Sequence, residues 1–366
     1  MTYFLSFVGS VFLGILSTLL SIRIAKRMNF FDSPNPRKIH QSPVPYLGGA
    51  ALFLAIFLSL LILEVFWPKF LSFDSSYRGL FDKKLLGVFF ASFLLVIVGT
   101  IDDWKKLSPF IKLFFQIIAG VIAVFFGIGI IHFLNPFGPS FIEFDSLKIT
   151  ILGSTILVYS GLFSLLWVVI MTNTVNFLDG LDGLATGITI IGALFIAFLS
   201  LGRQVNQPST ALLAFIVAGA CLGFLFFNFY PAKIFLGDGG SLMLGFVLAT
   251  LAIISGSKIA TASLVLGIPI LDFVWSSVRR IISKKAPWFP DKEHLHHRLL
   301  SVGFSQRKAV FIFYGLSLVF GIVGLLSSRT QKIVALLAVM ATMIILSIFI
   351  FVLKRNSALS KIEEGR

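Results

Sequence analysis

Long apolar runs separated by short polar segments dominate this chain. The runs 151–171 and 184–201 contain no formally charged residue, and about 20 apolar residues are what a helix needs to cross the hydrocarbon core of a bilayer. Only 13% of the 366 residues are charged, whereas soluble domains carry about a quarter. We therefore expect an all-α, polytopic integral membrane protein that forms a single domain over residues 1–366.

Eleven apolar runs have a length that suits a transmembrane helix. They are 3–22, 48–67, 85–101, 110–131, 150–171, 184–202, 210–228, 241–256, 259–277, 309–327 and 333–353. An odd number of spans places the two termini on opposite sides of the membrane. With the N-terminus outside, most of the 30 lysines and arginines face the cytoplasm, as the positive-inside rule requires. Contacts of these loops with anionic lipid, rather than with nucleic acid, then explain the net charge of +14.

The polar chemistry of the chain is concentrated on the predicted cytoplasmic side. The segments that face the cytoplasm are 23–47, 102–110, 172–183, 229–240 and 278–308, followed by a tail at 354–366. They contain most of the aspartates, and none is long enough to form a separate soluble domain. We therefore predict that these five segments form an active site at the cytoplasmic face.

Two adjacent carboxylates, Asp102 and Asp103, stand at the end of a predicted span. Like charges this close repel each other, and a divalent cation or a basic group nearby relieves the repulsion. Lys112 and Gln116 are four residues apart on the following helix and so point a cation and an amide in the same direction. The pattern predicts a metal or phosphate site, and the alternative for Asp102 is a solvated helix end.

Two asparagines and two aspartates interrupt the apolar sequence between the two uncharged runs. Asn173 and Asn176 are three residues apart, as are Asp179 and Asp182, so the members of each pair would share a helix face. Charged groups are costly in hydrocarbon, so such a segment persists only in water, in a polar cavity or on a metal. A turn rich in asparagine and aspartate between two spans is the alternative.

Glycines surround Asp238 immediately before the eighth predicted span. Glycines at a helix start expose backbone N–H groups to an anion, and Asp238 beside them can hold a metal. Lys233 lies in the same segment. Neither a Walker A loop nor a dinucleotide fingerprint fits, because no Gly-Lys-Ser/Thr follows and no strand precedes the glycines.

Histidines and an arginine mark the last cytoplasmic segment. His294, His296, His297 and Arg298 fall within five residues, and no cysteine accompanies them to indicate structural zinc. Donors of this kind suit a phosphate or sugar hydroxyls. Asp272 precedes them inside a predicted span, where an acid is either functional or paired with a lysine or arginine of a neighbouring helix.

The first cytoplasmic segment is also basic. Arg37, Lys38 and His40 lie among prolines that stiffen an extended path. They could bind a phosphate, and a juxtamembrane segment that contacts anionic lipid explains them equally well.

Together these motifs resemble those of the polyprenyl-phosphate N-acetylhexosamine-1-phosphate transferases, a membrane family that includes phospho-N-acetylmuramoyl-pentapeptide transferase. The resemblance covers nearly the whole chain. Its elements, in order, are Asp102-Asp103 with Leu107-Ser-Pro-x-x-Lys112-Leu-x-x-Gln116; Asn173-x-x-Asn176-x-x-Asp179-Gly-x-Asp182-Gly-Leu-Ala; Pro231-Ala-x-x-Phe235-x-Gly-Asp238; and His294-x-His296-His297-Arg298. It implies a helix bundle that moves a sugar 1-phosphate from a UDP-sugar to a lipid phosphate, releasing UMP with Mg²⁺ or Mn²⁺ as cofactor.

The resemblance also implies a role for each candidate residue. Asp238 and Asp103 would hold the metal, and the catalytic carboxylates would be Asp102, Asp103, Asp179 and Asp182. The nucleotide and its phosphates would contact Lys112, Asn173, Asn176, Lys233 and Asp272. The sugar or diphosphate would contact His294, His296, His297 and Arg298. The side of the lipid phosphate would be formed by Arg37, Lys38 and His40.

The resemblance also implies a role as general base for Asp102, which is the role usually proposed for this position in the family. A phosphate monoester has a second pKa near 6, so the lipid phosphate is mostly dianionic at neutral pH and is already nucleophilic. Phosphoryl transfer depends mainly on positioning and charge neutralisation. We therefore hypothesise that Asp102 orients the metal and the phosphate more than it accepts a proton.

The run from His294 to Arg298 looks like the branch of the family that uses GlcNAc, while Gly239 departs from the hydroxyl residue that the family often has there. We expect transfer of GlcNAc 1-phosphate from UDP-GlcNAc to undecaprenyl phosphate in the bacterial plasma membrane. A homodimer is compatible with this expectation. One alternative is a phospho-MurNAc-pentapeptide transferase of peptidoglycan synthesis. Another, from a different class, is a transporter or flippase, which predicts inverted repeats and helices broken at mid-membrane.

Overall fold

The computed structural model describes residues 1–32, 43–67, 71, 73, 82–134, 141–144, 146–151, 154–202, 205–255, 259–284 and 294–364. The helices are α1 (Thr2–Arg27), α2 (Gly48–Phe66), α3 (Lys83–Lys105), α4 (Pro109–Phe125), α5 (Val158–Leu178), α6 (Leu184–Leu201), α7 (Pro208–Asn228), α8 (Gly237–Ile254), α9 (Ile259–Val265), α10 (Gly267–Ile282), α11 (Leu295–Ser301), α12 (Gln306–Leu326) and α13 (Arg329–Glu364). Three antiparallel hairpins pair β1 (Phe31–Asp32) with β2 (Val44–Pro45), β3 (His132–Leu134) with β4 (Phe141–Glu143), and β5 (Lys148–Ile151) with β6 (Ser154–Leu157).

The predicted all-α membrane bundle is confirmed. Within the described residues, nine helices are long and apolar enough to cross a membrane, and the bent pair α9–α10 would make a tenth. These nine are α1, α2, α3, α5, α6, α7, α8, α12 and α13. The chain is therefore a polytopic membrane protein.

Two predicted spans begin or end differently from the sequence-based expectation. The run 110–131 contains α4, a helix of only 17 residues. The run 150–171 starts in the hairpin β5–β6, and its helix begins only at Val158 and continues to Leu178. β-branched residues such as Ile149 and Thr150 fit a pleated strand better than a helix, although their hydropathy is the same in either.

The predicted span 259–277 is broken rather than continuous. Helix α9 ends at Val265, and α10 leaves it at an angle of 81°. Pro269 accounts for the break, because it has no N–H to donate and its ring would clash with the carbonyl of Val265 in a continuous helix.

A short turn between α3 and α4 folds α4 back against the end of α3. Helix α3 ends where Lys106 adopts a left-handed conformation, with φ at 50°. Ser108 then caps α4, its hydroxyl accepting a hydrogen bond from the Ile111 N–H at 3.4 Å, and Pro109 occupies the first turn. The turn brings Lys112 back beside Asp102.

Helix α8 forms the centre of the bundle. All its residues are buried except Asp238 at its start, which is half-buried. It packs against α2, α3, α5 and α6. Glycines allow the closest of these approaches, since a Cβ on Gly49 would lie 2.5 Å from the backbone nitrogen of Gly240, and a Cβ on Gly99 would overlap the backbone of Gly239. The start of α8 is thereby clamped between α2 and α3.

Candidate active site

One ammonium group joins two carboxylates at the end of the bundle where α3 ends and α8 begins. Lys112 Nζ lies 2.9 Å from Asp238 Oδ2 and 3.2 Å from Asp102 Oδ2. The Asp102 side chain is 3% exposed, and those of Lys112 and Asp238 are each 24% exposed. The sequence predicted a divalent cation or a basic group next to the adjacent acids, and the basic group is present. Lys112 also contacts Asp238, which lies far from Asp102 in the sequence.

The second carboxylate oxygen of Asp238 is also held in place. Asn176 Nδ2 donates to Asp238 Oδ1 at 3.1 Å and to the hydroxyl of Ser241 at 2.9 Å. The Asp238 backbone N–H donates to Asp103 Oδ1 at 3.0 Å. Gly237 permits this contact, because a Cβ there would overlap the Asp103 carboxylate. Residues from α3, α5 and α8 thus meet at one point.

Asp102 uses both carboxylate oxygens within the protein. Its Oδ1 accepts a hydrogen bond from the Leu107 N–H at 2.6 Å, and its Oδ2 pairs with Lys112. The residue is 2% exposed. Such a carboxylate is well placed to fix the α3–α4 turn and the position of Lys112.

Asp179 completes a group of four acids, Asp102, Asp103, Asp179 and Asp238, which we call the acid cluster. Burial raises the pKa of the Asp179 carboxyl well above its usual range, and the charges of Asp238 and Asp103 raise it further. The pKa of the nearby Tyr46 phenol is raised as well, by burial and by the charges of Asp32, Asp103 and Asp179. Burial and mutual repulsion therefore disfavour the charged forms of these groups, and a cation beside them would relieve the repulsion.

The acid cluster has the donor chemistry that Mg²⁺ prefers. No group of three or more histidine, cysteine, aspartate or glutamate side chains forms a ready metal cage in the described part of the chain. Mg²⁺, however, is commonly bound by one or two carboxylates together with substrate phosphates and water. Buried carboxylate oxygens, and the excess negative charge felt by Asp179, fit a divalent cation of this kind.

Asp182 and Lys233 lie beside the acid cluster rather than in it. Asp182 Oδ2 accepts a hydrogen bond from the Ala232 N–H at 3.0 Å and so ties the α5–α6 turn to the segment before α8. Lys233 is exposed in that segment, and its backbone N–H donates to the Phe227 carbonyl at 2.7 Å. This contact shows that Asp182 holds the turn in place, and the catalytic role expected from the sequence stays a prediction.

Asn173 pairs with Gln116 across α4 and α5. Asn173 Nδ2 donates to Gln116 Oε1 at 2.8 Å, and Gln116 Nε2 donates back to Asn173 Oδ1 at 3.3 Å. Both asparagines lie in the last turns of α5, not in a loop. As the spacing predicted, Lys112 and Gln116 point to the same side of α4, where the amide pair holds α4 against α5 and Lys112 reaches the acids.

The histidines of α11 cover the turn that follows α5. The ring of His294 lies 4.7 Å from that of Phe177, and a Cβ on Gly180 would be only 2.5 Å from His296 Nε2. The Nε2 atoms of His294 and His296 are buried and have no hydrogen-bond partner among the described residues. Burial, together with the neighbouring His297 and His294, lowers the pKa of His296 well below its usual range. Two imidazoles thus offer unused polar atoms beside the turn.

Asp272 and Arg298 form contacts that the sequence did not predict. Asp272 Oδ2 lies 3.1 Å from His294 Nδ1, and its Oδ1 accepts from the Leu295 N–H at 3.1 Å, so its partners are in α11 rather than a lysine or arginine. Arg298 Nη2 donates to the carbonyl of Ser347 in α13 at 3.1 Å. Asp272 therefore orients His294 and the start of α11. The guanidinium of Arg298 is directed towards α13, so its contact with the sugar or diphosphate stays a prediction.

Some candidates lie outside the described residues, and other residues were missed by the sequence. Arg37, Lys38 and His40 belong to the first group, so their role stays a prediction. In the second group, the Tyr314 hydroxyl donates to the Gly183 carbonyl at 2.6 Å and fixes the end of the turn between α5 and α6. No local pattern marks Tyr314, because it lies on an ordinary apolar helix far along the chain.

Comparison with known proteins agrees with this arrangement. Residues 85–256 match the family model described as glycosyl transferase family 4. The chain is 31% identical to a probable undecaprenyl-phosphate N-acetylglucosaminyl 1-phosphate transferase of Bacillus subtilis (strain 168), over 87% of this chain and 82% of that protein.

Two further relatives represent the two branches weighed above. An undecaprenyl-phosphate alpha-N-acetylglucosaminyl 1-phosphate transferase of Thermotoga maritima is 32% identical over 85% of this chain and 86% of its own length. A phospho-N-acetylmuramoyl-pentapeptide-transferase of Borreliella afzelii is 29% identical over 80% of this chain and 84% of its own. With the acids of α3, α5 and α8 gathered at one point and relatives of this similarity over most of its length, the chain belongs to glycosyl transferase family 4.

Proposed function

We propose that this protein transfers GlcNAc 1-phosphate from UDP-GlcNAc to undecaprenyl phosphate, giving GlcNAc-diphospho-undecaprenol and UMP. This would be the first membrane step of a cell-surface glycan pathway. The observation that carries the proposal is the acid cluster joined by Lys112, with unpaired histidine nitrogens over the adjoining turn. The names of the Bacillus and Thermotoga relatives support the choice of sugar and lipid.

The reaction exchanges one phosphoanhydride bond for another. An oxygen of the lipid phosphate attacks the sugar-bound phosphorus of UDP-GlcNAc. The bond from that phosphorus to the bridging oxygen breaks, and UMP leaves with the electron pair. The protein has little covalent chemistry to perform, so its contribution is positioning and charge neutralisation.

Asp238 and Asp103 are the residues that we expect to hold Mg²⁺ or Mn²⁺. Bound there, the metal would neutralise charge on the phosphates and act as a Lewis acid. Asn176 and Ser241 fix Asp238, and the Asp238 N–H fixes Asp103. The metal ligands are therefore oriented before substrate arrives, which favours catalysis by preorganisation.

Lys112 and Asp102 act as a pair in this proposal. Lys112 carries the positive charge that would meet phosphate oxygens, and Asp102 holds it in place. Both Asp102 oxygens accept a hydrogen bond from the protein, so this carboxylate is suited to orient Lys112. If Asp102→Asn kept metal affinity and its rate fell equally at every pH, a general base would be unsupported. A trapped covalent phospho-aspartate would contradict both roles.

We expect the nucleotide and sugar to bind beside the acid cluster and the start of α11. Asp179 and Asn176 belong to or adjoin the acid cluster, and the Nε2 atoms of His294 and His296, buried and without a described partner, lie at the start of α11. These nitrogens can each donate or accept one hydrogen bond, which suits sugar hydroxyls and diphosphate oxygens. We place this site on the cytoplasmic side of the bacterial plasma membrane, from the distribution of lysine and arginine.

A panel of donors tests the proposal. Purified protein with undecaprenyl phosphate and Mg²⁺ is given UDP-GlcNAc, UDP-GalNAc or UDP-MurNAc-pentapeptide, and UMP release is measured. We expect release with UDP-GlcNAc. Release only with the muramoyl-pentapeptide donor would favour the second branch of the family, and no release with any donor would favour a transporter. The acids gather at the ends of α3 and α5 and at the start of α8, away from the break between α9 and α10, which is unlike a transporter.

A further inference from the structure

Helix α11 is held at both of its ends by a charged side chain. At its start, Asp272 of α10 accepts a hydrogen bond from the Leu295 N–H at 3.1 Å and lies 3.1 Å from His294 Nδ1. At its end, Arg298 Nη2 donates to the carbonyl of Ser347 in α13 at 3.1 Å, and Arg298 Nη1 donates to the Ser347 hydroxyl at 3.4 Å. Helix α11 therefore bridges α10 and α13.

A helix as short as α11 does not fix its own position. It has seven residues, whereas isolated helices shorter than about 12–15 residues are marginal in water. Leu295 and Leu299 share one face of α11 and are 1% and 2% exposed, so this face is anchored in the apolar core. Apolar burial is non-directional. The tilt and rotation of α11 therefore depend on the hydrogen bonds at its two ends.

The contact of Arg298 lies against a part of α13 that crosses the membrane. At 1.5 Å per residue, Ser347 is about 10 Å inside the end of this span at Lys354. Residues 329–354 contain no aspartate or glutamate, so α13 offers the guanidinium a carbonyl and a hydroxyl rather than a carboxylate. A charged group next to apolar helices is costly unless it is hydrogen-bonded. This cost favours one orientation of Arg298, towards Ser347.

The opposite side of α11 carries His296. Residues two apart on a helix point about 200° apart, so His296 points away from Arg298. A Cβ on Gly180 would be only 2.5 Å from His296 Nε2, so this ring lies directly against the backbone of the turn after α5. Helix α11 is thus clamped between that turn and α13, and a displacement of about 1 Å in a group that positions a substrate can cost about 100-fold in rate.

We infer that Arg298 is a positioning residue, which couples the C-terminal helix α13 through α11 to the histidines beside the turn after α5. The inference rests on the proposed function for the donor that these histidines would contact. It gives Arg298 a different role from the direct contact with the sugar or diphosphate that the resemblance implied. A helix that supplies no side chain to the acid cluster then influences the binding of the donor.

A substitution in α13 tests the inference at a distance from the acid cluster. Ser347→Leu replaces the hydroxyl by a bulkier side chain against the guanidinium, and we expect KM for UDP-GlcNAc to rise about tenfold. KM for undecaprenyl phosphate should stay unchanged. Thr342→Leu is the matched control on the same helix, because the Thr342 hydroxyl donates within the helix, to the Ala338 carbonyl at 2.8 Å. An unchanged donor KM in Ser347→Leu would overturn the inference.

A double-mutant cycle shows whether Ser347 acts through Arg298. Arg298→Met should raise KM for UDP-GlcNAc about as much as Ser347→Leu does, and the double variant should be no worse than Arg298→Met alone. Recovery of the donor KM in Arg298→Lys, which keeps a donor for the Ser347 carbonyl, is expected. Effects that multiply in the double variant would mean that the two residues act independently, and would overturn the inference.

Amide hydrogen exchange separates this inference from the proposed function. With the full chain in lipid nanodiscs, Arg298→Met should speed exchange in the peptide that contains residues 295–301 by about tenfold. Arg307→Met should leave this peptide unchanged, because Arg307 donates to the Tyr230 carbonyl at an exposed site. Unchanged exchange in Arg298→Met would overturn the inference. Absence of UMP release by the unaltered protein would instead contradict the proposed function, and the exchange would still be measurable.

Discussion

Replacing Lys112 by methionine removes the only ammonium seen between two carboxylates of the described acid cluster. Its Nζ lies 2.9 Å and 3.2 Å from Asp238 and Asp102, and the three side chains are at most 24% exposed. Breaking a buried ion pair by removing one partner costs about 3–5 kcal/mol. Because Lys112 and Asp238 keep some contact with solvent, we take about 3 kcal/mol, the lower end of that range.

That cost falls on the stability of the fold. If the Lys112 ammonium also stabilises charge on the phosphates in the transition state, its loss should lower kcat/KM by about 100-fold, the usual effect of removing one preorganised donor. The assay is UMP release from UDP-GlcNAc in detergent with undecaprenyl phosphate, at several Mg²⁺ concentrations. Loss of one positive charge beside carboxylates strengthens their attraction for a cation. We therefore expect the half-saturating Mg²⁺ concentration to fall while the maximal rate also falls, a combination that simple misfolding would not produce.

Lys105→Met is the matched control. Lys105 is exposed, and its Nζ lies 5.1 Å from the centre of the Trp104 ring. Its removal should leave kcat unchanged. The reasoning would be refuted if Lys112→Met, purified as a folded protein, kept kcat/KM within about threefold of the unaltered protein.

Three further changes test other parts of the structure. Tyr314→Phe removes the 2.6 Å hydrogen bond to the Gly183 carbonyl, which contributes about 1 kcal/mol to stability; because this bond fixes the turn that follows Asp179, KM for UDP-GlcNAc should also rise in steady-state assays. The native state keeps His296 neutral, whereas the unfolded chain protonates it near pH 6.5, so the stability that this histidine contributes is present above that pH and lost below it. The fall in melting temperature from neutral pH to mildly acidic pH should therefore be smaller in His296→Gln than in the unaltered protein. Gly99→Ala forces α3 away from the start of α8; overpacking of this kind costs about 1–3 kcal/mol and should lower both melting temperature and activity.

Each of these three predictions has an outcome that would contradict it. Gly315→Ala is the control for Gly99, since nothing lies within 4 Å of a Cβ at that position; equal effects of the two alanines would contradict the packing argument. An unaltered UDP-GlcNAc KM in Tyr314→Phe would mean that the turn keeps its shape without the hydroxyl. An equally steep loss of stability with acid in His296→Gln would assign the loss to another group.

Features that depend on a few neighbouring residues, such as which side chains share a helix face near the acids, were largely predictable. Spacing of three or four residues predicted that Lys112 and Gln116 share a face, and their contacts with the acids and with Asn173 agree. Glycines at the start of the eighth span were predicted to expose backbone N–H groups to an anion, and the Asp238 N–H does donate to the Asp103 carboxylate. Such predictions succeed because they depend only on the pitch of a helix and the size of a side chain.

Other features needed the tertiary structure. Hydropathy could not separate the strands β5 and β6 from the helix that follows, because an apolar residue leaves water equally well in both. The partner of Asp272 proved to be His294, and that of Arg298 proved to be Ser347 in α13. A polar side chain in an apolar bundle forms a hydrogen bond with the nearest polar group. Which group is nearest depends on how the helices pack.

A bundle of membrane helices with polar motifs at their ends follows from the amino-acid sequence alone. Long uncharged, apolar runs are stabilised by the hydrocarbon core of the bilayer. Carboxylates are costly there, so they lie at the helix ends. Which of these motifs come into contact depends on how the helices pack. Lys112 and Asp238 are 126 residues apart, and nothing local specifies that glycines on α2 and α3 admit the start of α8 closely enough to join them.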